Sequence, residues 1–409
     1  MAYAAKEKGR VLFVLNSATG GATLSATDAM GRLGARGWRC FAVVPPGQQA
    51  EGPALARVTE DLREVALPWW NRNYRARLWK RPVLFGLDMV RSRMHAGSVA
   101  KLVALIRRWD IDIVHTNTSL NLDGAVAARL TGRRHVWHIR EQIGARALMR
   151  FWLPEPALAR TFVALSDALI ANSHETSRFF ARNGVGGRVR VIENGVDVTL
   201  FDAAERGAEL RQAWGVPNGA PLFGMVANLT SRMKRHDVFL RAAARLAESL
   251  PDARFVVVGV DPDVEGGYRG ELEYCRSVKR LAAELGLEGR VVWAGFLRDV
   301  PAVTNAIDVL VHPSDRESFG RVVVEAMAAR RPAVGAASGG VGEIIVDGET
   351  GFRAPPGDPE AFAEAMRRLA MNATLRRDMG DAGYRRAVDR YSLDRTVDAL
   401  EDVYEGSDA

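Results

Sequence analysis

Asp308-Val-Leu-Val-His-Pro-Ser-Asp-Arg-Glu-Ser-Phe-Gly-Arg-Val-Val-Val-Glu-Ala-Met327 reads as a strand, a loop and the opening of a helix. Asp308 to Ser314 has the unbroken apolar character of a strand buried on both faces, and a Phe319-Gly320 turn precedes an apolar helix. The start of such a helix offers free backbone N–H groups and the positive end of the helix dipole, a seat for phosphate. Glu317 falls in the loop beside that seat. Glu325, eight positions on, is expected two turns into the helix and facing the same crevice. Carboxylates that accept hydrogen bonds from hydroxyls, next to an anion seat, suit a ligand that is both sugar and phosphate. On spacing alone the other reading is a helix capped by Glu317 and a solvated Glu325.

The same alternation runs outward in both directions. Arg10–Asn16, Trp38–Val44, Ile111–Thr116, His135–Ile139, Ala168–Asn172 and Val189–Ile192 read as buried strands, with helical periodicity at Ser98–Trp109, Leu122–Leu130 and Glu175–Asn183. The pattern restarts beyond Val196 with strands at Pro221–Ala227, Ala253–Val260, Arg290–Ala294, Val309–His312, Pro332–Ala336 and Gly351–Arg353. Helices at Asp237–Leu250 and Leu272–Leu285 separate several of these. Two βα series in a chain of 409 residues imply two doubly wound domains, with ligands outside the strand C-termini. The boundary is expected near Asn194–Phe201, giving domains over 1–197 and 198–390. An amphipathic segment over 391–409 follows.

Three further segments join the first in a single pattern: Val191-Ile-Glu-Asn-Gly-Val-Asp197, Ala227-Asn-Leu-Thr-Ser-Arg-Met-Lys-Arg-His-Asp237 and Gly339-Gly-Val-Gly-Glu343. With Glu317-x7-Glu325 and the following Ala326-Met-Ala-Ala-Arg-Arg-Pro-Ala-Val334, the chain resembles the family-4 glycosyltransferases, retaining enzymes of the GT-B fold. The resemblance covers nearly the whole chain. It implies two Rossmann-like domains facing across a cleft, the first for the acceptor and the second for a nucleotide-sugar. It also implies that the terminal helix crosses back onto the first domain.

Residue by residue, the resemblance makes Glu325 the acceptor of ribose hydrogen bonds and places Glu317 against the transferred sugar, with Ser318, Phe319 and Gly320 beside it. Lys234 matches the lysine that meets the leaving diphosphate. The companion arginine position holds Asn228, which carries no charge; Arg232 and Arg235 are candidates to replace it. His138 matches a sugar-contacting histidine at a strand end, and Arg140 and Glu141 follow it. Gly20 and Gly21 match a glycine loop that lets backbone approach a ligand. Glu317, His138 and Lys234 are thus the expected catalytic residues. Ser173, Asn194-Gly195 and His115 through Thr118 are expected to be structural or to shape the acceptor site.

No metal or other cofactor is expected. Asp261-Pro-Asp263 and Asp110-Ile-Asp112 have the spacing of a metal-binding pair, but the second stands at the start of a strand and both read as structural. Cys40 and Cys275 lack metal-ligand spacing. The implied reaction moves a hexose from a UDP- or GDP-sugar to an acceptor hydroxyl, with the anomeric configuration kept. The alternatives are a catalytically weak or inactive nucleotide-sugar-binding protein and a nucleotide-sugar epimerase.

Net charge is +7 and unevenly spread. Residues 1–197 hold 29 Lys and Arg against 16 Asp and Glu, whereas the remainder holds 27 against 33. Between Arg63 and Arg108, basic residues interleave with Trp69, Trp70, Tyr74, Trp79 and Phe85. That composition suits an anionic membrane surface and so a lipid-linked or polysaccharide-precursor acceptor, though a small-molecule acceptor stays open. The other reading is a solvated Arg-rich face. No nucleic-acid motif accompanies the charge. The polar N-terminus does not read as a secretory signal, and no apolar run approaches the ~20 residues of a membrane span. The expected location is cytoplasmic, and the basic first half extends that expectation to a peripheral place on the inner membrane face.

Overall fold

A computed structural model describes residues 7–72, 81–144, 150–151 and 153–406. The chain divides into two compact units, Met1–Asn194 with Leu393–Ala409, and Gly195–Ser392. Each unit is built on one parallel sheet covered by helices.

In the first unit the strands are β1 (Gly9–Val14), β2 (Trp38–Val44), β3 (Asp61–Glu64), β4 (Asn71–Arg72), β5 (Ile113–Thr116), β6 (Arg134–Ile139), β7 (Arg150–Phe151), β8 (Ala168–Ala171) and β9 (Val189–Val191). Seven form the main sheet in the order β3-β2-β1-β5-β6-β8-β9, all neighbours parallel. β4 and β7 pair separately as an antiparallel ribbon. The central strands are apolar on both faces because both faces carry helices: Val11, Phe13 and Ile113 pack in one core cluster, Leu12, Val14 and Val114 in another. The order reverses between β1 and β5, which puts the unit's switch point at the C-terminal ends of those two strands.

The second unit contains β10 (Leu222–Val226), β11 (Arg254–Val258), β12 (Val291–Trp293), β13 (Val309–His312), β14 (Ala333–Ala336) and β15 (Gly351–Ala354), in the order β12-β11-β10-β13-β14-β15. Here the order reverses between β10 and β13. The residues expected at the nucleotide-sugar site follow these two strands directly.

Local rules set the helix ends. Ser173 accepts from the Thr176 amide to cap the helix His174–Arg182, and Asp358 does the same for Pro359–Met371, whose first residue is proline. The helix Asp123–Thr131 stops at Gly132, which takes a left-handed conformation. Asp112, expected at the wrong end of a strand for a site, binds the Arg10 amide there. Asp261 caps the short turn Pro262–Glu265, and Lys279 sits 2.7 Å from its carboxylate. Arg276 and Lys279 both pair with Asp263. Cys275, read as lacking metal-ligand spacing, also stands here: the ligand atoms of Asp261, Asp263 and Cys275 lie within 4.8 Å of one another.

Two sequence expectations change. The helix read from Ser98 starts at Arg81 and runs to Arg108. The terminal amphipathic segment, by contrast, is the helix Leu393–Glu405, separated at Ser392 from the preceding helix Ala373–Tyr391. The basic and aromatic stretch is not one surface. Trp70 belongs to an aromatic cluster with Trp137, Phe151 and Phe162, and its indole N–H donates to Ser119 O, whereas Trp69 is exposed. Tyr74 and Trp79, and the side chain of Phe85, lie outside the described residues. Among the described residues no helix is long and apolar enough to cross a membrane.

Candidate active site

In the second unit, the loop after β10 and the loop after β13 meet at the switch point. Lys234 ends a single helical turn, Arg232–Lys234, capped by Ser231. Its Nζ lies 2.9 Å from Glu317 Oε2, although the residues are 83 positions apart in sequence. Ser314 Oγ donates to the same oxygen at 3.1 Å, and His312 Nε2 lies 3.4 Å from it. Burial opposes ionisation of Glu317, but the Lys234 charge and the His312 contact outweigh it and hold the carboxyl well below its ordinary range. Glu317 is therefore an anion and a pure hydrogen-bond acceptor.

Glu317 does not cap the following helix. Gly320 occupies that position at φ 104°, where a side chain would be strained, and the helix begins at Arg321. A Cβ on Gly320 would also stand 2.8 Å from Val341. Glu325 is thus the fifth helical residue, a little over one turn in rather than two. Nor is it solvated: it is 3% exposed and accepts from Arg321 Nε at 2.7 Å. Ser318 is half-buried, and Phe319 is buried with its ring against Tyr391.

The second glycine loop is pressed onto this one. Gly340 N donates to Glu317 O at 2.9 Å, and a Cβ at Gly340 would lie 2.4 Å from Phe319 O. Ser338 Oγ donates to Asp315 O. Gly340 is required by this close backbone approach, and Gly339 takes a left-handed conformation at φ 57°.

The departure at Asn228 has a structural counterpart. Its side chain is exposed, and its Oδ1 accepts from the Val260 amide at 3.0 Å, bridging the ends of β10 and β11. Of the two candidate replacements for the missing charge, Arg235 is committed elsewhere: it pairs with Asp315 at 2.8 Å and Asp237 at 3.0 Å. Arg232 is exposed, with its guanidinium 5.8 Å from the centre of the Tyr274 ring.

In the first unit, Gly20 (φ 94°) precedes the helix Gly21–Ala35, and a Cβ at either glycine would meet nothing within 4 Å. That loop follows β1, and Asn117, which follows β5, donates to Ala22 O across the switch point. His138 lies near the end of β6, fully buried, and neither of its ring nitrogens has a hydrogen-bond partner. Burial, reinforced by the nearby Arg140 and His115, pushes its pKa well below the ordinary histidine value, so the ring is neutral. Arg140 Nε donates to Asn117 Oδ1, and Glu141 accepts from Thr118 and Ser119. His115 and Thr116 are buried with protein partners, Tyr404 and His135.

Sequence reasoning missed the Glu317 neighbours His312 and Ser314, and Arg321. The signal for His312 was present: like His138, it is a histidine closing a buried strand. The pairing of Arg321 with Glu325 was also readable, as an i, i+4 ion pair on one helix face.

A model of the "Glycosyl transferases group 1" family matches residues 207–386, and one of "Glycosyltransferase Family 4" matches residues 19–200. The chain is 31% identical over 316 residues to the putative glycosyltransferase EpsD of Bacillus subtilis, covering 74% of this chain and 79% of that protein. The chain belongs to the group 1, family-4 type glycosyltransferases. It is also 34% identical over 311 residues to the D-inositol 3-phosphate glycosyltransferase of Streptomyces avermitilis. That match covers 72% of this chain and 65% of the Streptomyces protein's length. Among solved structures, Anabaena Alr3699/HepE in complex with UDP matches with a TM-score of 0.78 at 24% identity, covering 97% of this chain and 100% of that one. The family membership fixes two Rossmann-like domains of the GT-B type as the architecture of this glycosyltransferase-family chain.

Proposed function

We propose that this protein is a retaining hexosyltransferase that takes its sugar from a UDP- or GDP-sugar and needs no bound metal. The observation that carries the reading is the meeting of Lys234 and Glu317 at the switch point of the second unit, 2.9 Å apart. A cation next to an ionised, partly buried carboxylate provides for both halves of a nucleotide-sugar. Lys234 would meet the diphosphate, where negative charge grows as the leaving group departs. Glu317 would accept from sugar hydroxyls, with the Ser318, Phe319 and Gly320 backbone nearby, and Glu325 from the ribose. His138, neutral and without a protein partner, would serve the sugar from the first unit, and Gly20 and Gly21 would admit phosphate close to backbone.

In the transfer, the bond from the anomeric carbon to the diphosphate oxygen breaks and a bond to the acceptor oxygen forms on the same face. The acceptor proton passes to the departing phosphate oxygen, so no protein base is required. The role of a metal at the diphosphate falls to Lys234. Asp261 and Asp263 pair with Lys279 and Arg276, cations that already meet their charge.

UDP is favoured first because the structural relative Alr3699/HepE is known in complexes with UDP and UDP-glucose. For the acceptor, the basic first half favours a lipid-linked or cell-surface polysaccharide precursor at an anionic membrane face. The inositol-phosphate relatives make a small phosphorylated polyol the contrasting choice. Thermal shift against UDP, GDP, ADP and their glucose derivatives, with and without magnesium, tests the donor. A single magnesium-independent stabiliser is expected, adding about 3 kcal/mol when present hundreds of times above its Kd. No response to any nucleotide would refute the reading, and binding without transfer to either acceptor class would point to an inactive binder. Salt-sensitive sedimentation with anionic vesicles is the result expected for the membrane-associated acceptor.

A further inference from the structure

The last helix of the chain, Leu393–Glu405, is part of the first unit. Its apolar face, Leu393, Val397, Leu400, Val403 and Tyr404, belongs to the core formed by β1 and β2 and the helix Gly21–Ala35. Its charged face is held by a rail of ion pairs: Arg32 with Asp394, Arg36 with Asp394 and Glu401, Lys8 with Glu401, and Arg190 with Asp402. Such a rail and face fix the helix along its length, far more than a tail requires for solubility. At its end Tyr404 is turned inward, 5% exposed, with its ring edge against Trp38.

The Tyr404 hydroxyl lies 2.7 Å from His115 Nδ1 on β5. His115 stacks on Phe13 of β1 and stands beside His138 of β6, with 5.4 Å between ring centroids. Both imidazoles are fully buried. Of their four ring nitrogens, His115 Nδ1 alone has a hydrogen-bond partner, and that partner is Tyr404. Two neutral imidazoles in a shared pocket have two tautomers each, and packing alone discriminates poorly between them. The shared hydrogen bond couples the two groups: with the phenol as donor the His115 proton stands on Nε2, and with Nδ1–H as donor it stands on Nδ1. The charged group acting on both rings is Arg140, which favours neither tautomer by proton exchange because it stays a cation.

We propose that Tyr404 is a positioning residue: by holding the His115 ring it fixes, through packing, where the His138 ring stands, so the terminal helix completes the sugar-contacting side of the first unit. The proposal rests on the reading of His138 as a site residue. It explains why this helix is fastened by both ion pairs and an apolar face and carries a buried tyrosine, Tyr404, in its last turn. No proton is transferred in the reaction through this link. Its effect is to hold the His138 ring in place, with both nitrogens free of protein partners, for a sugar hydroxyl.

The test uses the full chain with nitrogen-15-labelled histidine. Long-range proton–nitrogen correlation reports which ring nitrogen is protonated in each of the seven histidines. Tyr404→Phe keeps the ring packing and removes only the hydroxyl. The expected result is a tautomer change at His115, a shifted His138 signal, and a kcat for sugar transfer lowered about fivefold with the donor KM changed less. Val403→Ala loosens the same helix without touching the hydroxyl; it is expected to lower Tm while leaving both histidine signals in place. Unchanged His115 and His138 signals in Tyr404→Phe would overturn the proposal, as would equal movement in Val403→Ala. If the signals move as expected but His138→Ala retains full activity, the fault lies in the placement of His138 at the sugar, and the spectra separate that failure from failure of the link.

Discussion

Lys234→Ala gives the sharpest check on the second unit. The substitution removes the cation 2.9 Å from Glu317 and leaves the carboxylate with Ser314 and His312. Two charges about 4 Å apart at an effective dielectric near 20 attract by about 4 kcal/mol. The side chains are 29% and 21% exposed, so solvent screening and the recovered hydration of the carboxylate cut this to about 2 kcal/mol. A domain of this size then loses roughly 4–8 °C in Tm. The sign with pH is fixed by Glu317, whose folded-state carboxyl sits below its ordinary 4.5. Its stabilisation is complete above that value and is lost as pH falls through the folded-state value, so the gap between wild type and variant narrows by about 0.8 kcal/mol at pH 4. Urea denaturation at both pH values, followed by tryptophan fluorescence, measures this. UDP-glucose affinity, from calorimetry at pH 7, should weaken at least tenfold, about 1.4 kcal/mol. A variant within about 0.5 kcal/mol of wild type at pH 7, the range of ordinary surface substitutions, with an unchanged Kd, would refute both the ion pair and the assignment of Lys234 to the diphosphate.

Gly340→Ala should destabilise the second unit by about 2–3 kcal/mol and abolish nucleotide binding, because its Cβ would meet Phe319 O at 2.4 Å. Gly21→Ala, where a Cβ meets nothing within 4 Å, should leave stability within about 0.5 kcal/mol or raise it; parallel melts separate the two. Cys40 and Cys275 are buried, and burial pushes both thiols up to about 12, so neither should react with an aromatic disulfide reagent at pH 8 until denaturant is added. Rapid labelling of the native protein would contradict that packing. Asn228→Arg should tighten binding of a diphosphate nucleotide severalfold while costing about 1 kcal/mol of stability, because the Val260 amide loses its acceptor; calorimetry and melts read the two effects separately.

The strands were legible because parallel strands under helices on both faces leave continuous apolar runs: Trp38–Val44 and Val309–His312 are read and observed with identical bounds. Asp61–Glu64 was not legible. It is a four-residue edge strand in which only Leu62 is buried, and its pairing to β2 comes from backbone bonds rather than side-chain pattern. The early start of the helix at Arg81 escaped notice because Pro82 and Gly86 interrupt its first turns with residues that usually mark a loop. At the site, the identities of Glu317 and Lys234 came from motif spacing, but their contact did not, since the order of strands in the sheet decides which loops meet. Trp70 misled for the reverse reason. A tryptophan among arginines has the composition of a membrane face, yet its indole N–H and ring both find partners inside the first unit.

The charge inventory around the second-unit site bears on what Asn228 means. Lys234 faces Glu317, Arg235 faces Asp315 and Asp237, and Arg321 faces Glu325. Each of these cations is already balanced by a carboxylate, so an incoming diphosphate gains only what exchange of partners leaves over. Arg232 differs: among the described residues it has no carboxylate partner, and it stands two positions before Lys234 on the same turn, over the face of Tyr274. A guanidinium held by an aromatic ring keeps its five N–H donors for another acceptor, and it suits phosphate better than an ammonium does. On the proposed reading, Arg232 would then supply the second positive charge that Asn228 does not carry. Arg232→Ala should then weaken diphosphate binding about as much as Lys234→Ala does, without the accompanying loss of stability, because no ion pair is broken. Calorimetry with UDP on both variants decides the point: an unaffected Arg232→Ala would leave Lys234 as the sole cation for the diphosphate and favour the inactive binder.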